Sequence, residues 1–195
     1  MKRVINLSLI IFTMLCSTII KASDVLSVKI ENSSTINVSL TNTAKGQKLY
    51  LKDYSGTILF NMTLEATSSY RKYFNLSAVN NGIYFVETET EFNLRITPVI
   101  KNEKGIALID NSAITIFKPK VLVENSIVKT MMVTAEKSPL YISVYDNDGI
   151  LLIKEKIEEE GPIFQRAYDF SEVPTGKYIM YFSIKDRTFT KEVNI

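Results

Sequence analysis

A short stretch decides the fold: Tyr141-Ile142-Ser143-Val144-Tyr145, followed directly by the turn residues Asp146-Asn147-Asp148-Gly149. In the first five positions Ile and Val alternate with polar or aromatic residues, which is the period of a strand with one buried face. Asp148-Gly149 is a strong hairpin signal, because glycine tolerates the positive φ that tight hairpin turns need. The stretch therefore predicts two antiparallel strands joined by a tight turn.

The same kind of pattern extends over residues 120–195. Runs rich in Val, Ile, Tyr and Phe are separated by turn residues such as Pro174-Thr175-Gly176. Seven short strands at this spacing are typical of a β-sandwich or a small barrel, and no sustained helical period interrupts them. The predicted strands are Lys120–Glu124, Val128–Thr134, Leu140–Tyr145, Ile150–Ile157, Phe164–Phe170, Lys177–Ile184 and Thr188–Ile195.

An internal repeat connects the two halves of the chain at an offset of 93 to 94 residues. Apolar positions, turn glycines and a tyrosine coincide in three separate blocks, all in the same order. Such a repeat predicts two copies of one structural unit, and hence an all-β protein with two tandem immunoglobulin- or fibronectin-like sandwiches. The matching blocks are Val28–Ser33 with Val121–Ser126, Leu51–Gly56 with Val144–Gly149, and Asn75–Tyr84 with Asp169–Tyr178.

The predicted division has four parts. Residues 1–22 form a signal peptide, residues 23–100 the first sandwich, residues 101–118 a connector and residues 119–195 the second sandwich. The connector is apolar and strand-like rather than rich in Gly and Ser. We expect it to form a hairpin that packs on one sandwich or between both.

The N-terminus has the layout of a secretory leader. Lys2 and Arg3 precede an apolar run over residues 4–20, and Ala22 is the expected last residue before cleavage. A membrane anchor is the alternative, because a run of this length lies at the lower limit for spanning a bilayer. We favour removal, which places the protein outside the cell or in the periplasm and leaves no membrane span in the mature protein.

Composition excludes several kinds of chemistry. Cys16 is the only cysteine, and the chain has no His and no Trp. A mature chain that starts after Ala22 thus has no disulfide, no thiol nucleophile and no Ser-His-Asp triad. Removal of residues 1–22 leaves 20 basic and 21 acidic residues, so the net charge is near −1 and nothing favours nucleic acid as a partner.

The acidic clusters suggest no catalytic or metal site. Asp146–Gly149 resembles a calcium loop, but Val144 would occupy the first ligand position, so the stretch is interpreted as a hairpin. Nothing places Glu155 and Glu158 across a cleft as a carboxylate pair, and residues 158–160 are interpreted as a solvated loop beside a strand edge. Lys137 and Ser138 are adjacent, but they lie in a turn before a proline. We assign no catalytic residue, cofactor or metal.

Glycines and tyrosines mark the turns and corners of both units. Gly56 and Gly149 are predicted to close the hairpin turns. Tyr84 and Tyr178 each follow a glycine by two residues, and this Gly-x-Tyr pattern resembles the tyrosine corner of immunoglobulin-like and fibronectin-type domains. In the same motifs Gly82 and Gly176 are expected to lie at positive φ, so that a valine there would destabilise the unit.

Two tyrosines are candidates for a binding surface. Because Ile142 and Val144 should face the core, Tyr141 and Tyr145 are left on the outside of the strand. A pair of exposed tyrosines can bind a glycan or a protein partner. The alternative is that they only cover cross-strand neighbours.

The second unit resembles the C-terminal sorting domains of type IX secretion cargo and related secreted bacterial proteins. The resemblance depends on Tyr145–Gly149, Tyr168–Ser171 and Pro174–Tyr178, and it covers about the last 55 residues well and the first unit less well. Such sorting domains end in a basic cluster, whereas this chain ends Thr190-Lys191-Glu192-Val193-Asn194-Ile195. The resemblance therefore implies the fold and not the sorting role.

These observations predict a secreted, non-enzymatic module that binds or scaffolds at the bacterial cell envelope, with an envelope protein or a glycan as partner. An accessory or cargo component of a secretion pathway is the second hypothesis, and an enzyme of unfamiliar type is the third. The sequence does not specify the oligomeric state.

Overall fold

The computed structural model describes residues 25–134, 138–158, 161–185 and 187–195. The predicted signal peptide with Cys16, the residue Lys137 and the last two glutamates of the acidic run at 158–160 lie outside the described residues.

The described residues form sixteen β-strands and no helix, which confirms the predicted all-β class. The strands are β1 Val25–Ile30, β2 Thr35–Thr43, β3 Lys48–Asp53, β4 Ile58–Thr63, β5 Thr67–Asn75, β6 Gly82–Glu89, β7 Asn93–Asn102, β8 Gly105–Leu108, β9 Ile114–Phe117, β10 Lys120–Glu124, β11 Ile127–Val133, β12 Leu140–Tyr145, β13 Leu151–Ile157, β14 Ile163–Asp169, β15 Lys177–Ile184 and β16 Arg187–Asn194.

Strands β1–β9, here called the first unit, form two antiparallel sheets. One sheet has the order β1-β2-β5, and the other has the order β4-β3-β6-β7-β8 with β9 also paired to β7. The inward side chains of both sheets form one hydrophobic core, because alternate residues of each strand point to the same side. This core consists of Ile36, Val38, Leu40, Leu49, Leu51, Leu64, Phe74, Leu76, Tyr84, Val86 and Val99.

Strands β10–β16, here called the second unit, repeat that arrangement. Their sheets have the orders β10-β11-β14 and β13-β12-β15-β16, so the pairing of the seven strands is the same as in β1–β7. Three strands facing four in this order is the architecture of immunoglobulin-like sandwiches. The second core consists of Val128, Met132, Leu140, Ile142, Val144, Ile157, Phe164, Phe170, Tyr178, Met180, Phe182, Ile184 and Val193.

Strand bounds in the second unit agree closely with those predicted from the sequence. The bounds of β10, β12 and β15 are as predicted, and those of the other four strands differ by one residue at each shifted end. In the predicted connector, β8 and β9 both pair with β7 and so extend the larger sheet of the first unit. The domain boundaries at residues 100 and 118 stay a prediction.

In each of the two hairpin turns predicted at Gly56 and Gly149, an aspartate at the start of the turn accepts backbone hydrogen bonds. The carboxylate of Asp146 accepts the backbone N–H groups of Asp148 at 3.0 Å and Ile150 at 2.8 Å, and Gly149 lies at a φ of 79°. In the first unit Asp53 accepts the N–H of Thr57 at 2.9 Å, and Gly56 lies at a φ of 87°. The side chain of Asp146 is therefore used within the turn, as is typical of Asx turns.

The prediction that Gly82 and Gly176 lie at positive φ is wrong. The glycines with positive φ are Gly46, Gly56, Gly105 and Gly149. Gly82 already begins β6, and the N–H and C=O of Gly176 pair with Ile195 at 3.1 and 2.9 Å. Both glycines belong to paired, extended backbone. A valine at either position would therefore not have to adopt a positive φ, and no destabilisation is expected from that cause.

Tyr84 and Tyr178 anchor the loops that precede their strands. The hydroxyl of Tyr84 donates to the carbonyl oxygen of Asn80 at 2.6 Å, and that of Tyr178 donates to the carbonyl oxygen of Pro174. Both rings are about 95% buried, and the ring of Tyr178 packs edge-to-face on Phe170 with centroids 5.2 Å apart. The aromatic ring thus fills the core while the hydroxyl fixes the loop.

Replacement of Tyr178 by Phe is expected to destabilise the protein. The change keeps the ring and removes the hydrogen bond to the carbonyl of Pro174, and because Pro174 is exposed the expected cost is about 0.5–1.5 kcal/mol. Urea unfolding followed by tyrosine fluorescence measures the difference. Tyr54→Phe is the control, because that side chain is exposed and should not change the unfolding curve. A Tyr178→Phe midpoint equal to that of the wild type would contradict the role given to the hydroxyl.

Candidate binding surface

The outward face of the sheet β13-β12-β15-β16 carries tyrosine rings and hydroxyl side chains. Inward residues such as Ile142, Val144 and Met180 are completely or almost completely buried, so the residues between them point outward. We call this surface the tyrosine face. It consists of Ser143, Tyr145, Ile179, Tyr181, Ser183 and Thr188.

Aromatic rings and hydroxyl groups lie next to each other on the tyrosine face. The rings of Tyr145 and Tyr181 meet edge-to-face, with centroids 5.5 Å apart and an interplanar angle of 84°. The hydroxyl oxygens of Ser183 and Thr188 are hydrogen-bonded at 2.8 Å. Strand pairing explains this arrangement, because β12 and β15 place Ser143 opposite Tyr181 and β15 and β16 place Ser183 opposite Thr188.

These residues line a shallow depression of about 480 Å³, which the hairpin turn Asp146–Gly149 closes at one end. Among the described residues of its lining, Asp146 alone is charged, and its carboxylate accepts backbone N–H groups of the turn. The depression therefore offers ring faces, ring edges and neutral hydroxyls. Such a surface suits a ligand that is neutral and rich in hydroxyl groups, or one with an apolar face.

Tyr141, the other tyrosine predicted for this surface, is outward and 42% exposed. It stands opposite Lys156 on β13 and opposite Ser183 on β15, and Ser183 lines the depression. The structure thus places Tyr145 in the depression and Tyr141 beside it. Tyr181 was not among the predicted site residues, although it occupies an outward position of the alternating run Met180–Ile184.

The corresponding face of the first unit is filled by ion pairs. Glu87 occupies the position equivalent to Tyr181 and pairs with Lys52 at 2.6 Å, while Glu89 pairs with Lys118 at 2.6 Å. Burial raises the pKa of Glu89, but the hydrogen bond and charge of Lys118 outweigh it, so that the pKa lies below its ordinary value. The two units therefore share a fold and differ in the chemistry of this face.

A polar cluster connects β13 and β14, which are edge strands of the two different sheets of the second unit. Glu155 accepts a hydrogen bond from Arg166 Nε at 2.9 Å and another from the hydroxyl of Tyr168 at 2.9 Å. The hydrogen bond from Arg166 is the main reason why the pKa of Glu155 is lowered. Burial and the bond to Glu155 raise the pKa of Tyr168. The cluster joins the two sheets of the second unit through side-chain hydrogen bonds.

The other acidic candidates remain dispersed. Glu155 binds Arg166 and Tyr168, whereas Glu158 pairs with Lys156, so the structure does not bring Glu155 and Glu158 together as a pair. In the part of the chain that the structure describes, no three His, Cys, Asp or Glu side chains are grouped so as to hold a metal ion. Within the same ranges, no helix has the length and apolarity needed to cross a membrane.

Strand order and packing define the class: the chain is an all-β protein of immunoglobulin-like sandwich architecture. Among solved structures, it is similar to a tetra-tandem repeat from the extending region of a large adhesion protein, at 16% identity over 88% of this chain, with a TM-score of 0.31. It is also similar to a two-domain fibronectin type-III segment of chicken tenascin, at 10% identity, covering 88% of this chain and 98% of that one, with a TM-score of 0.33. This chain spans about half, 48%, of the adhesion-protein structure.

Part of the chain also matches a protein-family model. Residues 22–102 match the family model of the secretion system C-terminal sorting domain. The match covers strands β1–β7 of the first unit, whereas the motifs that suggested this resemblance lie mainly in the second unit. A protein carrying such a domain is an exported one, and the chain is secreted, as predicted. Comparison with curated proteins found no similar sequence.

The Glu155 cluster should make the second unit sensitive to acid. The folded-state pKa of Glu155 lies below the ordinary value of 4.5, so its stabilising effect is complete above that pH and is lost as the pH falls through the folded-state value. In Glu155→Gln, the free energy of unfolding should therefore decrease less steeply than in the wild type as the pH falls from about 5 to about 3. Urea unfolding at a series of pH values measures this slope.

Glu103→Gln is the matched control, because Glu103 is exposed in the turn between β7 and β8. It should keep the wild-type slope. If Glu155→Gln also keeps that slope, the ion pair does not contribute to the stability of the folded state.

Proposed function

We propose that the chain is a non-enzymatic binding or scaffolding module of the bacterial cell envelope and that its binding surface is the tyrosine face. The observation that supports this most directly is the depression in which Tyr145, Tyr181 and three hydroxyl side chains meet. Paired aromatic rings beside hydroxyl groups provide both apolar contact and hydrogen bonding without a charge to neutralise.

A glycan fits this chemistry better than a charged protein segment does. Sugar rings present C–H faces that pack on tyrosine rings, and their hydroxyl groups can exchange hydrogen bonds with Ser143, Ser183 and Thr188. The shallow shape of the depression, open along the sheet, suits a segment of a long chain. An envelope protein is the alternative partner, and it would use the same tyrosines as anchors.

Loss of the tyrosines should abolish binding while leaving the fold intact. Tyr145→Ala and Tyr181→Ala remove outward rings, so each is expected to weaken binding by about tenfold, and together by more. Isothermal titration with polysaccharide fragments from the native envelope measures the affinity, and circular dichroism checks the fold.

Tyr73→Ala is the control, because it removes an exposed tyrosine from the first unit. It should bind as the wild type does. Wild-type affinity in the double variant Tyr145→Ala/Tyr181→Ala would exclude the tyrosine face as the binding surface. If the glycans do not bind and envelope proteins do, the partner is a protein.

A second candidate function is supported by the family match at residues 22–102. In this proposal the chain is cargo or an accessory component of type IX secretion, and the first unit is the part that the secretion machinery recognises. The two candidates are compatible, because the first concerns the outer face of the second unit and the second concerns the path of export.

This second candidate predicts a change of location. In native cells whose type IX secretion is disabled, the chain should accumulate in the periplasm and disappear from the cell surface and medium. Cell fractionation with an antibody against the chain measures this. Unchanged surface or medium levels in the disabled strain would contradict the proposal, and a periplasmic protein with another export route serves as the control.

A further inference from the structure

Strand β4 forms an exposed edge of the first unit. It pairs with β3 on one side, and no other strand in the described ranges pairs with its second side. Ile58, Leu59 and Met62 are between 41% and 49% exposed. An edge of this kind presents a row of free backbone N–H and C=O groups to any extended chain that approaches.

Strand β4 itself contains no charged residue and no proline, and the ammonium group of Lys72 on β5 lies 5.2 Å from the centroid of the Phe60 ring. The six residues Ile58–Thr63 read Ile-Leu-Phe-Asn-Met-Thr. Natural proteins usually blunt an edge with a charged residue, a proline or a short strand. Every other edge strand in the part of the chain that the structure describes follows this rule: β1, β5, β10, β13, β14 and β16 contain charged residues, and β8 and β9 have four residues each.

The equivalent edge of the second unit shows the difference most clearly. At the offset of 93 residues, Asn61 and Thr63 of β4 correspond to Lys154 and Lys156 of β13. Both lysines lie on the outward face of the sheet, because they stand opposite Ser143 and Tyr141. Strand β13 thus carries two lysines at positions where β4 has neutral side chains, and charged residues on an edge strand disfavour pairing with another chain.

We propose that β4 is a homophilic interface, at which β4 of one copy pairs antiparallel with β4 of a second copy. In such symmetric pairing a strand meets its own side chains, so a charge would stand near the same charge. If β13 paired with β13 of a second copy, Lys154 and Lys156 would repel the lysines of that copy. Strand β4 contains no charged residue, so no such repulsion opposes its pairing. Pairing would also cover Ile58, Leu59 and Met62, whose exposed apolar side chains give the interface its hydrophobic part.

Asn61→Lys tests this interface, because it introduces at β4 the charge that the second unit has at the equivalent position. Sedimentation velocity over a range of concentrations measures the dissociation constant of the dimer. The wild type should form dimers, and Asn61→Lys should raise the dissociation constant by at least about tenfold. Hydrogen exchange should show slower exchange of β4 amides in the wild type at high concentration, and no such slowing in the variant.

Thr41→Lys is the matched control, because Thr41 is exposed on the central strand β2 of the opposite sheet. It adds the same charge to the same unit and should dimerise as the wild type does. Thermal unfolding of both variants verifies that they fold. A wild type that stays monomeric at high concentration would overturn the proposal, even if β4 binds a strand of another protein. A folded Asn61→Lys that dimerises like the wild type would overturn it as well.

Discussion

The whole structure depends on one geometric constraint, namely that adjacent side chains of a paired strand point to opposite faces of the sheet. In β12 this constraint buries Ile142 and Val144 and at the same time turns Ser143 and Tyr145 outward. The antiparallel pairing with β15 then brings Tyr181 beside them. The core and the candidate binding surface are therefore two consequences of the same alternation, and a shift in register by one residue would destroy both.

The two units share one topology and differ in their surface side chains. Their seven-strand pairing is the same, and both hairpins begin with an aspartate and end with a glycine at positive φ. They differ where the backbone does not determine the side chain. The positions of the Lys52–Glu87 ion pair in the first unit are occupied by Tyr145 and Tyr181 in the second, while the edge strand is neutral in β4 and charged in β13.

Sequence patterns predicted the strands well because the signal is local. Alternation in runs such as Leu140–Tyr145, bounded by turn residues, gave strand bounds correct to within one residue. The outward position of Tyr141 follows from the same period. The prediction of a positive φ at Gly82 and Gly176 was wrong because a Gly-x-Tyr motif does not determine the backbone conformation of its glycine. Both glycines already belong to the extended, paired backbone that follows the loop. The outward position of Tyr181 could have been predicted from the alternating run that contains it. Its contact with Tyr145 could not, because that contact depends on the pairing of β12 with β15, which the sequence of one strand does not specify.

Oxidative footprinting of tyrosines in the native protein, resolved by mass spectrometry, tests the assignment of faces most directly. The alternation predicts rapid labelling of Tyr141, intermediate labelling of Tyr145 and Tyr181, and labelling of Tyr84 and Tyr178 only after unfolding. Labelling of Tyr178 in the folded protein at the rate of Tyr141 would contradict the alternation on which both the core and the tyrosine face depend.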